Sequence, residues 1–291
     1  MKFSPFLAVS FGLAVAAPLS AQTLVFAAGS IELSEVTIAG ANVQRKVKRA
    51  DGGETTQSIP LASVLRVDFP KPEELGAADD LILKGKYAEA YQKAKVVQDL
   101  HAAWKDKPGS WYASAGLLVA ESLLRQNKHD ESARLMSELR NMALSSSLQI
   151  RVTMLDALEQ FQKGITGPAL AKVRPLARGG QDADTLSRLY LLTGDIHFKR
   201  EAFAEALEAY LQIPVFYGAE AAFLPAAELG AAKALARLGR LQDAGDSLSR
   251  IVERYAGTPE ADAAKVEKEA IAKLTGAAAD SAAPPAAPAP P

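Results

Sequence analysis

The stretch LYLLTGDIHFKREAFAEALEAYLQIPVFYG, from Leu189 to Gly218, decides the fold, because its pattern predicts two amphipathic helices joined by a tight polar turn. Gly194 and Ala206 are small enough to let two helix axes approach closely. Large side chains that would fill the grooves between neighbouring ridges stand at Tyr190, Phe203 and Tyr210. The stretch therefore predicts a packed helical hairpin.

The order of these residues resembles the tetratricopeptide repeat family. The family pattern has a bulky residue, a small residue, an aromatic that opens the second helix, an alanine three residues later and an aromatic four after that. Those places are held here by Tyr190, Gly194, Phe203, Ala206 and Tyr210. The resemblance implies stacked helix pairs whose first helices line a concave groove that binds peptides or partner helices.

The same pattern recurs upstream and downstream of this stretch. The small-residue position is predicted at Ala90, Ala133, Ala169, Ala206 and Ala244, with spacings of 43, 36, 37 and 38 residues. The second helices are predicted to open at Tyr87, His129, Thr166, Phe203 and Leu241, and turn glycines at Gly85, Gly164 and Gly239. The spacing exceeds the family's usual length of about 34, so a related helical-hairpin array stays open as an alternative.

The predicted fold is mainly α, a tetratricopeptide-like helical-hairpin solenoid with a small N-terminal β-sheet cap. Five helix pairs and a last helix from Glu260 to Leu274 would occupy residues 71–275. Residues 276–291 consist largely of alanine and proline, which cannot bury enough surface to order themselves, so they are predicted to form a disordered tail.

Residues 1–21 carry Lys2, an apolar run and a small-residue exit, which is typical of a cleavable signal peptide. Cleavage is expected near Gln22, and a buried N-terminal helix is the alternative. The chain has no cysteine, so a lipid-modified N-terminal cysteine is excluded and we expect a periplasmic or secreted protein. No integral membrane segment is predicted in the mature chain.

Residues 22–70 change from helical to alternating periodicity. Apolar residues lie two or four apart from Ile31 to Phe69, as on one face of a strand. Asp51-Gly52-Gly53 is typical of a hairpin turn, because glycine accepts the positive φ that a tight turn requires. We expect three or four strands that pack on the first helix pair.

Neither composition nor motifs predict an enzyme. The net charge of −1 does not favour nucleic acid as a partner. His101, His129 and His197 fall in separate repeats without metal-ligand spacing, and no phosphate loop occurs. The adjacent acids Asp79 and Asp80 are interpreted as helix-start charges. No catalytic residue, cofactor or metal is therefore predicted.

The resemblance instead implies a partner-binding groove on the first helices. Counting from the glycines places on it Arg151, Leu191, Asp195, Phe198, Lys199, Leu229, Lys233 and Arg237, with Leu155, Phe161 and Arg125 as further members. Lys199, Lys233 and Arg237 would form a basic patch offset only by Asp195. The alternative is a solvated face on which Asp195 and Lys199 form an i to i+4 ion pair.

The function expected from this resemblance is a non-enzymatic protein-binding scaffold of the bacterial cell envelope. The segment ERYAGTPEADAAK, residues 253–265, resembles the final repeat of periplasmic envelope proteins of the Tol-Pal-associated coordinator type. A structural, self-assembling envelope protein and an accessory to polysaccharide- or peptidoglycan-processing enzymes remain as alternatives.

Overall fold

A computed structural model describes the backbone of residues 22–281 and the side chains of residues 22–273. This part divides into two compact units, a β unit of residues 22–71 and 103–111 and a helical unit of residues 72–102 and 112–281. The predicted signal peptide lies outside the described residues, as do residues 282–291 of the predicted tail.

The β unit contains six described strands in two antiparallel sheets. The strands are β1 (Thr23–Phe26), β2 (Gly29–Glu32), β3 (Val36–Ala39), β4 (Asn42–Lys48), β5 (Glu54–Pro60) and β6 (Arg66–Asp68). Their orders are β2-β1-β6 and β3-β4-β5. The prediction of three or four strands was wrong, because strands of three or four residues are too short for alternation to distinguish them.

The turn between β4 and β5 confirms the predicted hairpin. Lys48 pairs with Glu54 at its base, and Gly52 adopts a φ of 84°. The Asp51 carboxylate accepts a hydrogen bond from the Gly53 amide at 2.9 Å. The glycine and the aspartate thus each serve the tight reversal of the chain.

A second segment of the chain, residues 103–111, completes the β unit. Trp104 is buried against Phe69, with ring centroids 6.1 Å apart. The Trp111 indole N–H donates to the Phe69 carbonyl at 3.1 Å. Trp111 lies in the β unit, and the next helix of the chain begins at Tyr112.

The helical unit contains eleven helices within the described residues. They are α1 (Glu73–Leu83), α2 (Tyr87–Leu100), α3 (Tyr112–Arg125), α4 (His129–Arg140), α5 (Ser146–Gln162), α6 (Thr166–Val173), α7 (Ala183–Lys199), α8 (Phe203–Phe216), α9 (Leu224–Arg237), α10 (Leu241–Arg254) and α11 (Pro259–Ser281). α1 to α10 form five hairpins, and the five predicted openings of the second helices are confirmed.

The five hairpins share one turn geometry. Two residues before each second helix, the chain adopts a positive φ, at Gly85, Asn127, Gly164, Glu201 and Gly239. Three of these were the predicted turn glycines. Asn127 and Glu201 occupy the same position in the other two hairpins, although residues with a side chain rarely adopt this conformation. The backbone conformation therefore repeats in all five turns, although the amino acid at this position differs.

The predicted small-residue contacts are confirmed in four hairpins. Ala90, Ala169, Ala206 and Ala244 are fully buried. The prediction of Ala133 was wrong by one residue: it is exposed, whereas Ser132 is fully buried and its hydroxyl donates to the Ala120 carbonyl at 3.1 Å. Because α4 opens at His129, the residue three positions later is the serine.

The last helix, α11, packs on α9 and α10 and continues to Ser281, beyond the predicted end at Leu274. The prediction of disorder was wrong for residues 276–281, because their alanine-rich sequence has high helix propensity. Within residues 22–281, none of the helices combines the length and the apolar character needed to cross a membrane.

Candidate functional site

The first helices of the hairpins contact one another in order, from α1 through α3, α5, α7 and α9 to α11. Residues 221–223, just before α9, also contact α1. These contacts bring side chains from both ends of the array around one cavity of about 220 Å³. Its charged lining consists of Arg125, Arg151, Arg188, Glu121, Asp195 and Glu260.

A partly buried ion-pair network joins the helices on one side of this cavity. Arg188 of α7 pairs with Asp79 of α1 and donates to Asp184 at 2.9 Å. Arg151 of α5 lies 3.2 Å from Glu121 and 3.6 Å from Asp79. Residues more than a hundred positions apart are thus held together by charge.

Burial and the neighbouring charges act in opposite directions on the pKa values of this network. Burial raises the pKa of Asp79 even though the Arg188 and Arg151 charges act in the opposite direction. Burial also disfavours the charge of Arg188, but the hydrogen bond to Asp184 and the nearby carboxylates raise its pKa above the ordinary arginine value. The Arg188 guanidinium lies 5.1 Å from the centre of the Phe223 ring, and it remains charged.

Tyr210 of α8 is wedged between α7 and α9 beside the cavity. A Cβ added at Gly194 would lie 2.5 Å from the Tyr210 ring, and one added at Gly230 would lie 2.6 Å from it. The ring therefore requires a glycine on each side. Its hydroxyl donates to the Asp195 carboxylate at 2.7 Å, which fixes that side chain at the cavity wall.

Asp195 is a carboxylate of the cavity whose described hydrogen-bond partner is a tyrosine, Tyr210, and not an arginine. Its burial raises its pKa, while the Tyr210 hydrogen bond and the charges of Arg125 and Lys233 act against that rise. The Asp195 side chain is partly exposed where it lines the cavity, so its carboxylate can accept hydrogen bonds from a ligand.

The structure brings one part of the predicted groove together at this cavity. Arg151, Leu191 and Asp195 line it, as do Arg125 and Leu155. Leu155 is buried in the core shared by α3 to α7, so only its edge faces the cavity. These residues of α3, α5 and α7 therefore share one cavity, and their role in binding a partner stays a prediction.

The other predicted groove residues lie outside the cavity lining. Phe198 packs edge-on against Phe203, with ring centroids 5.2 Å apart. The prediction that Leu229 faces the groove was wrong, because Leu229 is buried in the core that α9 forms with α10 and α11. Arg237 is exposed near the end of α9.

The predicted basic patch is also dispersed. Lys199 donates to the Phe161 carbonyl at 3.1 Å and lies 4.9 Å from that ring's centre, so the alternative Asp195–Lys199 ion pair is wrong. Lys233 lies 3.9 Å from Glu267 of α11. Asp195 was expected to be the only acidic residue near the basic patch, but Glu267 also lies beside Lys233.

Sequence reasoning missed Asp79, Glu121 and Arg188. Asp79 was interpreted as a helix-start charge, but it lies in the middle of α1 and faces Arg188. Its position four residues after buried Leu75 and three before buried Ile82 places it on the inner face of the helix. That spacing could have identified it.

The described histidines lie apart from the cavity lining, and burial lowers the pKa of His101 and His197. Among residues 22–273, no three His, Cys, Asp or Glu side chains are grouped so that they could hold a metal ion. No protein-family model matches this chain, and a search of curated proteins also finds no match.

Proposed function

We propose that this protein is a non-enzymatic binding scaffold of the bacterial cell envelope, exported by its N-terminal segment and built from tetratricopeptide-type helical hairpins. Its helices hold a segment of a partner protein at the cavity formed by the first helices. The observation that carries the proposal is that cavity, where α1, α3, α5 and α7 contribute charged and apolar side chains to one recess.

The repeated turn supports the solenoid part of the proposal. Five hairpins with a positive φ at one position, and first helices that contact in order, are expected of stacked repeats. In such arrays each repeat contacts mainly its neighbours, and the inner helices form the binding surface. This chain departs from that rule where Asp79 of the first pair meets Arg188 of the fourth, so the proposed array brings distant repeats together around the cavity.

The size of the cavity restricts what it holds. An α-helix with its side chains is about 10–12 Å across, so a cavity of about 220 Å³ admits a side chain or a turn of the partner and not a whole helix. The three lining arginines are balanced by three lining carboxylates. We therefore propose that an apolar anchor residue enters, and that flanking backbone groups bond to Asp195 and Arg125.

Site-specific photocrosslinking in the producing cell tests this function. A crosslinking amino acid at Leu191, which lines the cavity, should yield a discrete adduct with one envelope protein. Arg125→Gln should weaken the adduct, since Arg125 is partly exposed at the cavity and its only described ion pair, to Glu121, is 3.9 Å long. Arg134→Gln, an exposed arginine on α4, is the matched control and should leave the adduct unchanged.

Other outcomes would contradict this function. An adduct of the protein with its own copy would favour the self-assembling alternative. Absence of any adduct at Leu191, with the same group at Arg237 giving a strong one, would move the binding surface away from the cavity.

A further inference from the structure

The first hairpin of the helical unit, α1 and α2, meets the fourth, α7 and α8, through a small set of side chains. Asp79 of α1 pairs with Arg188 of α7. Leu83, at the end of α1, packs against the buried cluster that contains Phe223. Stacked repeats contact mainly their neighbours, so this contact is additional to the stacking. We call these four residues the α1/α7 closure.

The centre of the α1/α7 closure is charged and incompletely hydrogen-bonded. The Arg188 side chain is 8% exposed and that of Asp79 is 27% exposed. Arg151 of α5 lies 3.6 Å from Asp79 Oδ1, and among the described residues no hydrogen-bond donor reaches this buried oxygen. Asp79 has therefore lost water without gaining a full set of hydrogen bonds, which costs free energy when α1 is closed on α7.

Both arginines keep another carboxylate when Asp79 is separated from them. Arg188 donates to Asp184 of the same helix at 2.9 Å, and Arg151 lies 3.2 Å from Glu121. Asp79 itself regains water. Because the hydration that a buried ion pair loses offsets most of its attraction, the closed and opened arrangements are close in free energy. The charged centre therefore makes this contact releasable.

The first hairpin also forms part of the cavity. Ile82, Leu83 and Tyr87 line it together with Leu191 and Phe223. Displacement of α1 from α7 therefore removes part of the cavity wall and exposes the Leu191 side chain. The packing of α2 on α3 keeps the first hairpin attached to the second, and small rotations at such interfaces add up along a solenoid.

We propose that the α1/α7 closure is a latch on the cavity. Separation of Asp79 from Arg188 and Arg151 lets the first hairpin move away from α7, which opens the cavity on that side. Return of the ion pairs closes it. The proposal concerns the free protein, so it holds or fails independently of the function proposed for the cavity.

The distance between two spin labels, measured by double electron–electron resonance on the full chain, tests the latch. The chain has no cysteine, so Lys93→Cys in α2 and Glu208→Cys in α8, both exposed, place one label on each hairpin. In Asp79→Asn the arginine charges stay buried in the closed array with less compensation, which favours opening. The distance should lengthen by about 6 Å, because each separated surface gains a layer of water about 3 Å deep.

Two controls restrict the interpretation to the first hairpin. Asp80→Asn removes an exposed carboxylate at the next position of α1 and should leave the distance unchanged. A second label pair, Glu208→Cys with Asp246→Cys, reports on α8 and α10 of the last two hairpins. Its distance should be the same with and without Asp79→Asn, because the rest of the array stays folded.

Access to the cavity gives a second readout. In a chain whose single cysteine is Leu191→Cys, the rate of labelling by a maleimide should rise several-fold with Asp79→Asn and stay the same with Asp80→Asn. Salt provides a test without a change at Asp79. Raising NaCl from about 0.1 M to 1 M shortens the Debye length from about 10 Å to 3 Å, and should increase the population at the longer distance.

The latch is refuted if Asp79→Asn leaves the distance between residues 93 and 208 unchanged, or if Asp80→Asn lengthens it equally. A longer distance without faster labelling at residue 191 also overturns it, because α1 would then move without controlling access. If Asp79→Asn does not fold, the salt titration decides, and a distance that is insensitive to salt overturns the proposal. Latch behaviour without any partner adduct at Leu191 would contradict only the function proposed for the cavity.

Discussion

At the scale of single residues, Tyr210 explains why the chain needs glycines inside two helices. Its ring occupies the space that a side chain would take at Gly194 or Gly230, and its hydroxyl holds Asp195. Gly194, Ala206 and Tyr210 were predicted from the sequence because they follow a recurring pattern. Gly230 was not predicted, because the pattern of a single hairpin does not specify which residue of the next helix packs on the Tyr210 ring.

Gly230→Ala should destabilise the protein by about 1–3 kcal/mol, because the new methyl group would meet the Tyr210 ring at 2.6 Å. Gly245→Ala in α10 is the control, since a Cβ there meets none of the described atoms within 4 Å. The control should stabilise by roughly 0.5–1 kcal/mol through helix propensity. Urea unfolding measures both free energies. A gain of stability in both variants would show that Tyr210 does not pack between the helices.

Asp195→Asn should change how stability depends on pH. Burial raises the pKa of Asp195 in the folded protein, so between the unfolded value of about 3.9 and the raised value the folded state binds more protons. Wild-type stability therefore falls as the pH rises through that range. The Asp195→Asn variant lacks this loss, so its stability relative to wild type should increase as the pH rises above about 4.

Asp182→Asn provides the opposite case. Asp182 caps α7, and the hydrogen bond from the Thr185 amide lowers its pKa. Its carboxylate therefore stabilises the fold above the unfolded pKa, and that contribution is lost as the pH falls through the folded value. The two difference curves, from thermal melts across pH, should slope in opposite directions. Parallel curves would contradict the assigned burial of Asp195.

At the scale of elements, the hairpin turn is the feature that the five pairs have in common. Sequence patterns located each second helix because apolar periodicity and an opening residue recur. They missed the turn positions at Asn127 and Glu201, since neither residue type predicts a left-handed backbone as glycine does. They also missed the role of residues 103–111, whose tryptophans pack on strands far away in the sequence.

Glu201→Gly should stabilise the protein by about 0.5–1 kcal/mol. Glu201 has a φ of 61°, a conformation that costs a residue with a side chain roughly 1–2 kcal/mol, and the greater freedom of glycine in the unfolded chain offsets part of the gain. Glu205→Gly, in the first turn of α8, should destabilise instead. The denaturant concentrations at the unfolding midpoints, compared at equal slopes of the unfolding transitions, test the two variants. Destabilisation by Glu201→Gly would show that the backbone at residue 201 is not left-handed.

At the scale of the whole molecule, the sequence predicted the number of hairpins but not which ones come into contact. Asp79 and Arg188 are 109 positions apart, and no repeat pattern specifies such a pair. The predicted groove residues consequently fell into two groups, with Arg151, Leu191 and Asp195 at the cavity and Lys199, Lys233 and Arg237 elsewhere. Spacing determines which face of a helix a residue occupies, whereas the packing of distant helices determines what that face meets.

The central claim is that a partner protein binds at the cavity of the first helices. Hydrogen–deuterium exchange of the complex recovered through the Leu191 adduct tests it most directly. We expect partner-dependent protection in residues 112–125, 146–162 and 183–199, which form α3, α5 and α7, with little change in the β unit. Protection confined to residues 22–71, or no protection in those three helices, would contradict the account.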